Sequence, residues 1–559
     1  MTQNPAPMPH RILSSLLLVC FLAFGAALRA AEWQWSVADG DTRIYLWIPA
    51  DCARVRGVVF ANHNMIEQGI LEHPLMRKTL AKLGFAEVWA VPYFDATFDF
   101  NRGAGDHFDK AMAALADESG YEELRHAPIV PLGHSACTTF PWNFAAWNPG
   151  RTLAVLSVHG DAPQTRLTGN GAPRVDWGDR NLDGIPGLMV MGEYEWWDDR
   201  LAPAFDFMAK HPNTPLAFLA DAGRGHFDYA DRTVAFLAAF IEKAAALRLP
   251  ADAPADQPVV LKPVDPKTGW RIDRWHADAA PSAPAAPYAD YTGNPKDAFW
   301  CFDETMARAT EAIYAEQRGK KPQLLSVTDG RQPVEKGNGE PVTPAFIPLG
   351  DDLTFRLSTA FLDSVPPGNP KATLWTRLPV GSPLGHATEG GPIQLSRIVG
   401  PCVQTGPDTF QLRFGRAEYT ANRRNHDLWL VASQPGDEHY KSIVQQAMVH
   451  VTPTKVGTPQ RITFPALPDV TVEKTLAAPA PIALAATSDA GAPVSYYVRE
   501  GPAEIDGSTL RFTAIPPRSK FPISVTVVAW QFGRTADPKL QTADRVERTF
   551  RLLLPDAAR

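Results

Sequence analysis

The hydrophobic rhythm of the chain changes twice. From Trp33 to about Leu249, short apolar runs alternate with segments whose apolar positions recur at helical spacing. That is the pattern of strands and crossover helices building a mostly parallel sheet with flanking helices, an α/β unit. The runs at 42–48, 57–61, 85–91, 129–132, 152–158, 187–191 and 216–220 predict its strands. Residues 74–83, 106–116, 138–146 and 232–247 predict helices around it. Beyond 249 the rhythm stops. Stretches rich in Pro and Ala at 249–264 and 277–287 favour extended linker backbone, with a helix expected at 297–318. From 324 to 465 short strand-like runs broken by Gly and Pro predict a β-rich region, and 494–498, 509–512 and 523–530 alternate like the strands of a small sandwich. The expected organisation is therefore a leader (1–31), an α/β domain (32–250), a linker with a helix (251–320), a β-rich accessory domain (321–465) and a C-terminal β-sandwich (466–559).

Composition narrows the function. A hydrophobic fraction of 45% excludes wholesale disorder in a chain of 559 residues. The 54 basic and 61 acidic residues leave a formal charge of -7 with Lys and Arg dispersed, so no basic footprint for nucleic acid exists. Arg11, the apolar run 12–24 and the small residues Gly25, Ala26, Ala27, Ala30 and Ala31 read as an export signal. The expectation is a secreted or periplasmic protein with no membrane association after cleavage. Cys20 follows bulky Val19, which disfavours lipid attachment. Cys52, Cys137, Cys301 and Cys402 remain, an even number that permits disulfides without requiring them.

The chemistry concentrates in Gly133-His134-Ser135-Ala136-Cys137, placed between the strand run 129–132 and the helix starting near Thr138. A serine on a strand-turn-helix corner is held in a strained conformation that lifts its hydroxyl above the sheet edge, and this needs small neighbours two residues away on either side. Gly133 fits, and Cys137 stands where Gly is usual. A hydroxyl also needs a base and an orienting acid. His226, in Gly223-Arg224-Gly225-His226-Phe227, follows the last strand, while Glu193, Glu195 and Asp198 follow the strand 187–191 and Asp161 follows 152–158.

By GHSAC, IPGLMVMGEYE and GRGHF in the order Ser, acid, His, residues 33–248 resemble the α/β-hydrolase superfamily of the serine esterase type. The resemblance implies Ser135 as nucleophile, His226 as general base and then acid, and Glu195, three residues past Gly192, as the orienting acid. It implies an oxyanion hole from the N–H of Ala136 and that of Asn64 or Met65, and no cofactor. SYYVREGPAEIDGSTLRFTAIPP resembles bacterial immunoglobulin-like repeats and implies a spacer or binding module.

Trp196, Trp197 and His134 lie beside these residues and are the expected substrate contacts; Trp142 and Trp147 lie on the helix after Ser135. The Asp179-x-Asn181-x-Asp183-Gly184 string opens like a calcium loop, but its twelfth position is Val190, so it reads as a turn and no metal is expected. The expected partner is a small ester or an ester-decorated polysaccharide, such as acetyl or feruloyl esters of plant walls. A degenerate hydrolase scaffold that binds carbohydrate or a partner, and a serine peptidase, are the alternatives.

Overall fold

The computed structural model describes residues 33–555 apart from 94, 166–171, 197, 252–256, 331–340, 368–369, 418–425 and 474–478. The leader reading of 1–31 and the assignment of Trp197 lie outside the described residues. Eight strands, β1 (Trp35–Asp39), β2 (Thr42–Trp47), β3 (Gly57–Asn62), β4 (Phe85–Val91), β5 (Ile129–His134), β6 (Val155–Val158), β7 (Gly187–Gly192) and β8 (Leu216–Asp221), form one sheet in the order β1-β2-β4-β3-β5-β6-β7-β8. Only β2 runs against the others, and every pair from β4 to β8 is parallel. This is the mostly parallel sheet expected of the α/β unit. β3 to β8 are buried along their whole length, which is why they appear in the sequence as unbroken apolar runs.

Among the described residues six α-helices accompany the sheet: α1 (Glu67–Leu71), α2 (Pro74–Leu83), α3 (Ala104–Ser119), α4 (Thr139–Trp147), α5 (Asp198–Lys210) and α6 (Asp231–Arg248). Local chemistry fixes their ends. α2 starts with Pro at its first position behind a His73 cap, and stops at Gly84, whose φ of 68° is left-handed. The strand run 152–158 shortens to Val155–Val158, and α5, which carries Pro203 in its interior, is an element the periodicity did not predict.

Past 250 the chain departs from the linker expectation. Strands Trp270–Asp273 and Ala298–Cys301 pair antiparallel, and Phe299 stacks on Phe218 of β8 at 4.9 Å between ring centroids. Val264, Ile272, Trp275 and Ala285 are buried in the same core as the parallel sheet. The expected helix 297–318 is therefore shorter, Glu304–Ala315, capped by the Asp303 carboxylate accepting from the Met306 N–H at 3.0 Å. Its Tyr314 hydroxyl donates to the Phe218 carbonyl at 3.1 Å.

The β-rich region shares that core as well. A sheet of Gln394–Val399, Asp427–Gln434 and Ile443–His450 lies against the carboxyl ends of β7 and β8. Tyr194 donates to the Ser442 carbonyl at 2.6 Å, and Lys441 joins Glu193 at 3.0 Å and Asp278 at 2.9 Å. The C-terminal region has a core of its own, built from Ile462 to Leu552. Its sheets include Ser495–Glu500, Ile523–Trp530 and Val546–Leu553 on one side and Ala503–Asp506 and Thr509–Phe512 on the other. It docks on the sheet edge through Ser36 to Glu500 at 2.7 Å and on the turn that follows α3 through Arg518 to Glu123 at 3.2 Å. Among the described residues no helix is long and apolar enough to cross a membrane.

Candidate active site

Ser135 stands on the turn between β5 and α4 with φ at 52°, a left-handed conformation that non-glycine residues rarely adopt. The turn is tight enough that a Cβ on Gly133 would meet the Cys137 carbonyl oxygen at 2.1 Å. Cys137 itself is fully buried, so its thiol is accommodated where glycine is usual. Strain, a small residue at 133 and a following helix together raise the Ser135 hydroxyl above the sheet.

Three loops at the carboxyl ends of β5, β7 and β8 bring the predicted residues together. Ser135 Oγ lies 2.7 Å from His226 Nε2. His226 Nδ1 is hydrogen-bonded to Glu195 Oε2. Glu195 is seated by the Gly192 N–H at 2.8 Å and by Arg200 Nη1 at 3.1 Å. Burial alone would push its carboxyl up, but His159, His226 and their hydrogen bonds outweigh burial and hold it well below the usual carboxylate range. Gly192 permits this seat, because a Cβ there would meet the Arg224 carbonyl at 2.5 Å.

The competing acids are engaged elsewhere. Glu193 binds Lys441 and accepts from the Gly223 N–H at 2.8 Å. Asp198, exposed at the start of α5, accepts from Trp196 Nε1 at 3.2 Å. Asp161 faces Arg200 at 3.6 Å, and burial pushes its carboxyl up to about 6.

The loop after β3 corrects one expectation. The N–H groups of Asn64 and Met65 both donate to Glu67 Oε2, at 3.1 and 2.6 Å, and are therefore not aimed at an oxyanion. Glu67 Oε1 accepts from the His134 N–H at 3.0 Å, so this one buried carboxylate ties the loop to the strand carrying Ser135. Burial pushes the Glu67 carboxyl up to about 7 against the pull of these N–H groups. Ala136 remains beside Ser135 on the cavity wall.

Two substrate contacts are corrected as well. His134 is fully buried, and its Nδ1 faces the Asn64 amide while its Nε2 donates to the His226 carbonyl at 2.9 Å. Burial, with the charges of His226 and His159, keeps its pKa well below that of a free imidazole. Trp196 packs on Trp275 at 4.5 Å and on Phe218 at 5.9 Å, filling the seam between the α/β unit and the segment after it. Trp142 is buried with its Nε1 on the Asp161 carbonyl at 2.8 Å, and Trp147 packs on Phe98 and Phe108. In the Asp179–Gly184 string, Asn181 accepts from the Asp183 N–H at 3.0 Å and Asp183 accepts from Asn213 at 3.3 Å, a turn leading into β7.

A cavity of about 340 Å³ opens onto Ser135. One wall comes from the α/β unit, with His63, Met65, Gln68, Ala136 and Phe227. The facing wall comes from the β-rich region, chiefly Val399, Trp429 and Met448, with Phe227 and Trp429 at 4.9 Å. Asp427, the one acid among the described lining residues, pairs with His450 at 2.8 Å. The sequence did not point to this wall, because it is assembled from strands far along the chain. His159 was missed too, although its place just beyond β6 puts it at the strand ends where ligands gather in such sheets.

No family model and no curated protein matches the chain. Among solved structures, it is similar to an arylesterase (14% identity, 38% of this chain and 84% of that one, TM-score 0.27). It is similar to Est1E from Butyrivibrio proteoclasticus at 13% identity, over 38% of this chain and 100% of that one, with a TM-score of 0.28. It is also similar to a soluble variant of monoglyceride lipase from Saccharomyces cerevisiae, at 11% identity over 39% of this chain and 97% of that one, with a TM-score of 0.27.

Proposed function

We propose that the protein hydrolyses carboxylic esters through an acyl-enzyme formed on Ser135. The observation that carries this reading is the chain of contacts from Ser135 Oγ to His226 Nε2 at 2.7 Å and from His226 Nδ1 to Glu195. In the first half-reaction the Ser135 oxygen attacks the ester carbonyl while His226 takes its proton. The tetrahedral intermediate then collapses, the alcohol leaves with that proton, and the acyl group stays on Ser135. In the second half-reaction water gives a proton to His226, attacks the acyl-enzyme, and releases the acid as Ser135 recovers its hydrogen. Glu195, ionised throughout, holds the ring in the tautomer that accepts from Ser135 and stabilises the imidazolium. The Ala136 N–H supplies one donor to the oxyanion, a contribution of about 3 kcal/mol for a well-aimed group.

The substrate is an ester with a compact acyl group. A cavity of about 340 Å³ is at the small end for ligand sites, and its largely apolar, partly aromatic lining, whose one acid is Asp427, suits acetyl or feruloyl groups better than a charged acid. An exported enzyme acting on such esters of plant polysaccharide fits this lining. Hydrolysis of p-nitrophenyl acetate and of methyl ferulate, each with Ser135→Ala alongside, tests the reading. Turnover by the wild type and its loss in the variant are expected; equal turnover by both removes Ser135 from the reaction.

A further inference from the structure

Glu195 does not serve His226 alone. Its second oxygen, Oε1, is bonded to Nδ1 of another histidine, His159, whose Nε2 lies 3.0 Å from the Asp228 carbonyl oxygen. His159 is fully buried just past β6 and holds φ at 51°, in the left-handed region that few non-glycine residues occupy. A carbonyl oxygen only accepts, so Nε2 carries a hydrogen; the ionised Glu195 also only accepts, so Nδ1 carries one too. The ring is therefore an imidazolium. It spans two loops, since Glu195 follows β7 whereas Asp228 belongs to the His226 loop and accepts from the Gly225 N–H at 2.9 Å.

We propose that His159 is a positioning residue of the Ser135 site, a second imidazole that clamps Glu195 and the His226 loop in register. The proposal rests on the ester-hydrolase reading of that site. The charged and titratable groups facing His159 are Glu195, Asp228 and Asp221, with the rings of His226 at 6.2 Å and His134 at 5.9 Å between centroids. Arg200 lies on Glu195 and Arg224 on Asp228. Burial opposes a charge on His159, but Glu195, its hydrogen bond, Asp228 and Asp221 outweigh it and raise its pKa.

The test compares His159→Asn with His159→Leu. Asparagine tolerates the left-handed backbone and can place an N–H where Nδ1 donates to Glu195, but it brings no charge. Leucine removes both donor and charge. With p-nitrophenyl acetate, kcat is expected to fall by about 10- to 100-fold in His159→Leu with KM little changed, and to recover most of that loss in His159→Asn. Wild-type kcat in both variants would overturn the proposal, as would equal losses in the two variants. If the variants do not fold, the low-field proton spectrum of the wild type decides: hydrogen-bonded N–H resonances assigned to both Nδ1 and Nε2 of His159 are expected, and a His159 ring with only one of them overturns the clamp. Full turnover by Ser135→Ala would instead defeat the ester-hydrolase reading, a different outcome that leaves the spectrum to judge His159.

Discussion

Glu195→Gln separates the acid from its neighbours. The carboxylate receives donors from His226, His159, the Gly192 N–H and Arg200. A carboxamide has one acceptor oxygen and adds two N–H donors, so it cannot satisfy all four. Turned toward His226, its NH₂ makes Nδ1 an acceptor, which moves the ring hydrogen to Nε2 where Ser135 needs a base. Loss of the correct tautomer costs about 10³- to 10⁴-fold in kcat, or about 4 to 5 kcal/mol of barrier. Glu193→Gln is the matched comparison, two residues away and equally buried. It removes one partner of Lys441, whose ammonium keeps Asp278 at 2.9 Å, so it should cost about 3 kcal/mol of stability and less than tenfold in kcat. Steady-state turnover of p-nitrophenyl acetate and urea unfolding followed by circular dichroism measure the two quantities on the same samples. The reasoning is refuted if Glu195→Gln stays within tenfold of wild type while Glu193→Gln loses the larger part of kcat.

Two other outcomes follow from the same geometry. Trp429→Ala opens the wall facing Ser135 and should raise kcat/KM for p-nitrophenyl octanoate relative to the acetate by about tenfold; an unchanged ratio would detach that wall from specificity. Burial places the folded Asp161 carboxyl at about 6, above its unfolded 3.8. Between about pH 4 and 6 the folded chain therefore holds a proton that the unfolded chain has released. Wild-type stability should accordingly gain on that of Asp161→Asn as pH falls through this window, and parallel urea midpoints across it would contradict the assignment.

Much of the sheet was legible because strands buried on both faces leave continuous apolar runs, as at Phe85–Val91, whose bounds match the expected ones. β1 escaped because an edge strand with exposed positions carries only a weak alternation in WSVAD. α5 escaped because Pro203 interrupts its pattern, and the helix expected from 297 lost its first turns to Ala298–Cys301, which finds a strand partner at Trp270–Asp273. Ser135, His226 and Glu195 stood out as candidates because each follows a recognisable strand, and the structure brings the three side chains together. His159, Glu67 and Trp429 take their places from tertiary contacts, and the wrong oxyanion donors came from a loop whose N–H groups are taken up by Glu67, a local acceptor that spacing does not reveal.

The account turns on which atom becomes covalently bound. Incubation with a fluorophosphonate followed by peptide mass mapping should give one adduct per chain, on the peptide containing Ser135, and none in Ser135→Ala. An adduct on another residue, or undiminished labelling of the variant, would contradict it.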